Sequence, residues 1–314
     1  MALKTTRCLV TGGAGFIGSH LVERLVRDGF QTTVLDDLSA GSSTYVHEAA
    51  TLVEGDVRDA GVVDDLVKEA DYVFHLAAYT SAPASLGEPR VCFEINTLGT
   101  LNVLESARRH KVRKVIFASS SAVYGGNSPE PCLEEDHLEP LSPYAVTKLA
   151  GEHLLEVYWA TYCLSYVAFR FFNVYGPRQN PEGGYAAVMP AFIQEALAGT
   201  DLTIYGDGEQ SRDFVYVEDV GNAMRLAMDR GNGIYNLGCK VAVTINELAQ
   251  NITEVASSGS KTRYESPRDG DILYSLADVT DAKRELGWAP EWSLAQGMQA
   301  TVKWYQKTIA GRVD

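Results

Sequence analysis

Cysteine is scarce in this chain of 314 residues, and nothing pairs it. Cys8, Cys92, Cys132, Cys163 and Cys239 stand far apart, with no Cys-x-x-Cys and no neighbouring histidine cluster. That pattern argues against a disulfide framework and reads as the reduced thiols of a cytosolic protein. Histidine is equally thin: His20, His47, His75, His110, His137 and His153 lack paired ligand spacing, so metal-assisted hydrolysis is not expected. No stretch approaches the roughly 18 apolar residues of a membrane span, and the first residues carry no leader pattern. Basic charge is also short. A formal net charge of -14 leaves no basic stripe for nucleic acid, so an anionic ligand must be held by individual arginines. Internal repeats and low-complexity segments are missing as well.

What is present is enough apolar residue, 46 % of the chain, to bury one large or two modest domains. The run Cys8-Leu9-Val10 reads as a buried strand, Phe16 to Val26 as a helix and Thr32 to Leu35 as a second strand. The alternation continues through Thr51 to Val53, a helix over Val62 to Lys68, Tyr72 to Phe74, a long helix over Asn96 to Arg109, and Val115 to Phe117. Strands alternating with helices predict an α/β fold with a doubly wound parallel sheet. Gly, Pro and polar residues from Gly176 to Gly184 suggest a hinge, which places a boundary near Phe172. Residues 1–172 would then form the first domain, rejoined by about 233–256, and 173–314 a smaller α/β domain.

Between the first strand and helix lies Thr11-Gly-Gly-Ala-Gly-Phe-Ile-Gly18. Its glycines at 12, 13, 15 and 18 allow a sharp turn and close approach to a pyrophosphate at the helix N-terminus. Asp36 ends the second strand, where its carboxylate would accept from an adenosine ribose and repel a 2′-phosphate. The cofactor expected is therefore NAD rather than NADP. Asp37 either joins this set or is a solvated loop acid.

Tyr144-Ala-Val-Thr-Lys148 places a phenol and an ammonium one turn apart on a helix face, with Ser142 as N-cap and Pro143 at the first helical position. A nearby cation lowers a phenol's pKa from about 10 and makes a base. By spacing alone such a pair is as readily plain helix surface.

Together with Asp56-Val57, His75-Leu-Ala-Ala78, Asn96, Ser119-Ser-Ser-Ala-Val-Tyr-Gly125, Phe172-Asn173, Arg212-Asp213 and Arg268-Asp-Gly-Asp271, these stretches resemble the extended short-chain dehydrogenase/reductases. Within them the likeness is to nucleotide-sugar 4-epimerases of the UDP-galactose 4-epimerase type, over nearly the whole length. The resemblance implies a Rossmann-type NAD domain, tightly bound NAD and a nucleotide-sugar domain. It implies cofactor contacts from Gly12, Gly15, Phe16, Ile17, Gly18, Asp36, Asp37, Asp56, Val57, Leu76, Ala77, Ala78, Asn96, Ser119, Tyr144, Lys148 and Phe172. Ser120, four residues before Tyr124, matches the catalytic hydroxyl beside Tyr144 and Lys148, while Ser119 or Ser121 could instead satisfy backbone at the strand end.

On the substrate side the resemblance implies Arg212 and Arg268 at the diphosphate, Asn173 near the glycosyl phosphate, Asp271 at the ribose and Tyr205 and Phe214 beside the uracil. Thr80, Ser120, Ser121, Tyr144, Asn180, Val188 and Ser275 complete that set. Taken singly, each arginine reads as surface charge and each aromatic as packing. The implied reaction oxidises the sugar at C4, rotates the 4-keto intermediate and returns the same hydride. Related dehydratases and decarboxylases carry an acid where this chain has Ser121 and Ala122, which favours epimerisation. Asn173 and Asn180 replace residues typical of UDP-glucuronate epimerases. UDP-glucose and UDP-galactose lead, and Ser275, in place of a bulky tyrosine, adds the N-acetylated pair. The alternatives are a UDP-glucuronate epimerase, a dehydratase or decarboxylase, and a silent NAD-binding sensor. A homodimer is implied through helices including the one bearing Tyr144.

Overall fold

Continuous apolar runs, rather than alternating ones, make strands that are buried on both faces. The computed structural model describes residues 5–126, 128–181, 187–268 and 272–310. Its first part runs β1 (Arg7–Thr11), α1 (Phe16–Arg27), β2 (Gln31–Asp36), β3 (Thr51–Glu54), α2 (Ala60–Val67), β4 (Tyr72–His75), α3 (Ala82–Gly87), α4 (Pro89–Phe93), α5 (Gly99–His110), β5 (Lys114–Ser120), α6 (Pro143–Tyr162) and β6 (Tyr166–Phe171). The remainder runs β7 (Asn173–Tyr175), α7 (Val188–Ala198), β8 (Leu202–Tyr205), β9 (Ser211–Tyr216), α8 (Val217–Leu226), β10 (Gly233–Leu237), β11 (Ala242–Thr244), α9 (Ile245–Val255), β12 (Thr262–Glu265) and α10 (Leu294–Ala310).

Seven strands form one parallel sheet in the order β10-β6-β5-β4-β1-β2-β3. The order reverses between β1 and β4, which opens a ligand crevice beyond their carboxyl ends. This is the doubly wound, Rossmann-type α/β arrangement. β4 and β6 are buried along their whole length, as a sheet with helices on both faces requires. One face packs α1 and α8 through Leu21, Leu25, Val220 and Met224; the other packs α2, α5 and α6 through Val63, Val103, Leu104 and Leu155.

A third cluster, around Phe192, Leu202, Phe214, Leu248 and Val302, sits under a three-stranded sheet, β11-β9-β7, and a two-stranded one, β12-β8. The chain weaves between the two parts. β10 pairs with β6 in the large sheet, and α8 lies against α1, whereas α9 packs with α7 and α10. Of the segment 233–256, only the strand returns to the first sheet. Lys114 reinforces the return: its buried ammonium donates to the carbonyls of Ala227, Arg230 and Gly231 at 2.9, 3.0 and 2.9 Å. A cation there completes the carbonyls left open after α8.

The long helix expected over Asn96 to Arg109 is interrupted. Glu94–Leu98 forms a π turn between α4 and α5, with buried Asn96 inside it. Such turns re-aim one side chain out of the helical register, and often do so at functional sites.

Candidate active site

The glycine-rich turn follows from contacts that only glycine permits. Gly12 has φ +72°, and a Cβ there would lie 2.6 Å from the Ala77 nitrogen, so the turn after β1 touches the end of β4. A Cβ on Gly18 would lie 2.1 Å from the Gly12 carbonyl oxygen. Gly15 is the N-cap of α1 and offers no side-chain acceptor, so the first amides, at Phe16 and Ile17, keep their donors for an anion. Asp36 is buried and accepts from Ala14 N and Leu38 N, both at 2.9 Å; burial raises its pKa, and those two bonds oppose the rise. Its neighbour Asp37 is exposed and binds Ser39. These residues suit a dinucleotide: a bare helix N-terminus for phosphate beside an acceptor for ribose.

The flanking contacts complete that crevice. The Ala77 amide donates to Thr11 Oγ1 at 3.3 Å, and Leu76 N to Thr11 O at 3.0 Å, holding the Leu76–Ala78 segment beside the turn. Val57 is buried against Gly99, and Asp56 is ion-paired with Arg58. Sequence reasoning missed the loop after Asp36. Leu38 has φ 59°, and Ser42 N donates to Ala14 O, with Gly41 packed on Ala14. An Asp-Leu-Ser-Ala-Gly segment after the acidic strand end was the available signal.

Asn96 spends its amide on protein. It accepts from Tyr79 N at 2.7 Å and donates to Tyr79 O at 3.1 Å and Thr147 Oγ1 at 2.9 Å. Thr147 in turn donates to the Tyr144 carbonyl at 2.7 Å. Asn96 therefore ties the loop leading to exposed Thr80 to the helix bearing Tyr144.

Ser142 caps α6 by accepting from Ala145 N at 3.2 Å, with Pro143 in the first turn. Tyr144 is half-buried with its phenol near the Ser120 hydroxyl, which accepts from Ala122 N at 3.2 Å. Lys148, one turn later, is buried and donates to Ala118 O at 2.8 Å, with its nitrogen 5.8 Å from the Tyr144 ring centre. Burial brings Lys148 down to about 8. The phenol departs from the expectation of a lysine-lowered pKa: burial raises it, and the nearby Ser120 hydroxyl opposes that rise. The physical reason is that Lys148 directs its proton at a carbonyl, not at the phenol. Ser119 turns away, donating to Glu152.

A second concavity, about 530 Å³, gathers Asn173, Val188, Tyr205, Arg212, Phe214 and Arg268. Arg268 lies over the Tyr205 ring, 3.7 Å from its centre. Asp213, next to Arg212, points inward and accepts from Cys239 N, Lys240 N and Ala277 N. Gln210, Glu195 and Arg263 line the same space and went unnoticed in the sequence, since Arg263 reaches it only through the pairing of β12 with β8. A smaller cleft holds Ser121, Gly125, Gly126, Phe172 and Ser275. Asn180 is exposed and lines neither space, and Asp271 lies outside the described residues.

The family model described as "NAD dependent epimerase/dehydratase family" matches residues 8–238. The UDP-glucose 4-epimerase of Thermotoga maritima, solved with UDP-glucose, superposes with a TM-score of 0.94 at 39 % identity, covering 97 % of this chain and 100 % of that one. The UDP-N-acetylglucosamine 4-epimerase of Methanobrevibacter ruminantium, in complex with UDP-N-acetylmuramic acid, gives 0.94 at 40 % identity, covering 98 % and 100 %. A UDP-N-acetyl-alpha-D-glucosaminuronate decarboxylase of Bacillus cytotoxicus is 39 % identical over 318 residues, 96 % of this chain and 98 % of its own. With relatives this similar over nearly their full length, and a glycine turn, a strand-end acid and a Tyr-Lys helix around one crevice, the chain belongs to the NAD dependent epimerase/dehydratase family.

Proposed function

We propose that the protein is an isomerase that interconverts UDP-sugars epimeric at C4, with UDP-glucose/UDP-galactose as the leading pair and UDP-GlcNAc/UDP-GalNAc as the second. The observation carrying the reading is the Tyr144 phenol beside Ser120 and buried Lys148, at the carboxyl end of the sheet whose β1 bears the glycine turn. NAD, when bound, accepts hydride from the sugar and returns it.

Tyr144 takes the proton of the 4-hydroxyl through Ser120, and gives it back on re-reduction. Burial raises the phenol's pKa in the protein alone, so Tyr144 would be activated in the loaded site, where bound NAD would add positive charge to that of Lys148. Asp36 holds adenosine ribose, and the α1 amides hold pyrophosphate. Arg212 and Arg268 grip the substrate diphosphate while the sugar stays loosely held, which lets a keto intermediate turn over before the second transfer. Epimerisation is preferred to decarboxylation or dehydration because Ser121 and Ala122 carry no carboxyl group. Ser275, in the small cleft with Gly125 and Gly126, is a small side chain where a bulky one would exclude an N-acetyl group.

We assign a homodimer through α6 and the π turn before α5, where Leu98, Val146, Val157, Trp159 and Tyr162 stay exposed by 38–55 %. A monomeric mass in solution would remove that assignment. The buried free thiols Cys8, Cys92 and Cys132 suit the reducing cytoplasm.

The test is incubation with UDP-glucose, UDP-N-acetylglucosamine and UDP-glucuronate separately, following anomeric protons by NMR without added reductant. A 4-epimer from either of the first two is expected. Turnover of none ends the assignment.

A further inference from the structure

Four residues beyond Lys148 on the same face of α6 stands Glu152, buried to 1 % exposure and without a place in the chemistry above. Two strands converge on its carboxylate. Ser119, on β5, donates to Oε1. Arg170, on β6, donates from Nε to Oε1 at 3.0 Å and from Nη2 to Oε2 at 2.8 Å, a two-point grip between side chains both almost free of solvent. Arg170 extends the chain of contacts, giving Nη1 to the Tyr124 hydroxyl and to Glu134 O, both at 2.9 Å, and lying over the Tyr124 ring at 4.9 Å. Tyr124 donates onward to Asn236 of β10 at 2.8 Å. Ser119 and Tyr124 bracket the 3-10 turn Ser121–Tyr124, at whose N-cap Ser120 sits. Both ends of the segment that presents Ser120 are thus held by one buried ion pair whose acid rides on the helix of Tyr144 and Lys148.

A surface carboxylate would do none of this, and a buried ion pair is a costly way to gain stability, since desolvation offsets most of the attraction. What such a pair does provide is geometry, because each group has few alternative partners.

We propose that Glu152 is a positioning residue for the reaction: it sets the register between the strand end carrying Ser120 and the helix carrying Tyr144 and Lys148. The inference rests on the epimerase reading. The groups facing this pair are Lys148 and Glu156 on α6, Arg170 and Tyr166 on β6, Tyr124 on the turn and Glu134 on the following loop; His75 of β4, Cys92 of α4 and Tyr144 face Lys148. Glu152 opposes the burial that pulls Lys148 down.

Two variants separate charge from geometry. Glu152→Gln removes the charge, so Lys148, followed by NMR of labelled lysine side chains, titrates lower than in the wild type. The basic limb of epimerisation moves down with it. Glu152→Asp keeps the charge but shortens the reach to Ser119, so the titration stays in place while kcat falls, with KM unchanged. If Glu152→Gln fails to fold, Glu152→Gln/Arg170→Gln replaces the ion pair by a neutral hydrogen-bonded one and must still lower kcat through the loosened Ser119 strand end, so that wild-type kcat there overturns the proposal. A folded Gln variant with wild-type Lys148 titration and wild-type pH profile overturns the proposal. The lysine titration needs no substrate, so an inactive wild-type protein would end the epimerase reading and leave this measurement standing.

Discussion

The Arg268 guanidinium and the Tyr205 ring are stacked at 3.7 Å on the wall of the large cavity. The stack holds a planar cation over a flat apolar face, a geometry that lysine cannot copy. Under the proposed function, Arg268→Ala weakens UDP binding about 10- to 100-fold by titration calorimetry, the scale of a charge-assisted contact worth ~1.5–3 kcal/mol. Because the contact is made to phosphate and not to the reacting carbon, kcat should barely change. A fall in kcat with unchanged KM would contradict the placement of this arginine.

Tyr144→Phe removes only a hydroxyl from a half-buried ring, so the protein should fold and retain NAD. Epimerisation should drop by about 10²- to 10⁴-fold, the range that one proton-transfer group supplies. Residual activity near wild type by anomeric NMR would move the base elsewhere.

At Gly18 an added methyl group meets the Gly12 carbonyl oxygen at 2.1 Å, and no flexible side chain is there to yield. Gly18→Ala should therefore push α1 from the turn and release NAD during purification. Gly221, whose Cβ would meet nothing within 4 Å, supplies the control. Equal cofactor content in the two variants, measured by absorbance after denaturation, would argue against the pyrophosphate assignment.

His75 lies fully buried between Thr11 Oγ1 at 2.7 Å and Thr100 Oγ1 at 3.0 Å, and burial, with Lys148 nearby, holds its pKa down at about 3. The unfolded chain takes up this proton near 6.5 while the folded one does not, so stability is lost as pH falls from 6.5 towards 3. The loss should approach ~1.4 kcal/mol per pH unit from this site alone. His75→Gln should flatten that limb in urea titrations run from pH 7 to 4, and parallel curves would refute the attribution.

Ser275 shares its cleft with Gly125 and Gly126. Ser275→Tyr should fill that space and abolish turnover of the N-acetylated pair, while UDP-glucose epimerisation persists. Loss of both together would mean that the cleft does not discriminate at C2.

The cofactor crevice was legible because its determinants are local: a glycine turn, the strand before it and an acid at Asp36 are all read within 30 residues. The helix start at Ser142-Pro143 was legible for the same reason. The charge state around Tyr144 was not, since Lys148 finds its acceptor 30 residues away at Ala118 and Glu152 finds Ser119 33 residues away. Asn96 belongs with these. The family resemblance implied a cofactor contact for it, but its π turn aims the amide at Tyr79 and Thr147, which no period of 3.6 could announce. Arg263 and Glu195 escaped because a cavity wall built from β8, β12 and α7 has no footprint along the chain.

The return of β10 to the large sheet bears on how the chain could ever be divided. A fragment ending at residue 172 would leave the backbone edge of β6 without its neighbour, and the apolar face of α1 without α8. The three carbonyls that hold Lys114 would also be gone. Such a piece should be sticky and poorly ordered by itself, yet able to reassemble with the separately made remainder. Each part completes the other's packing, although each keeps its own apolar centre.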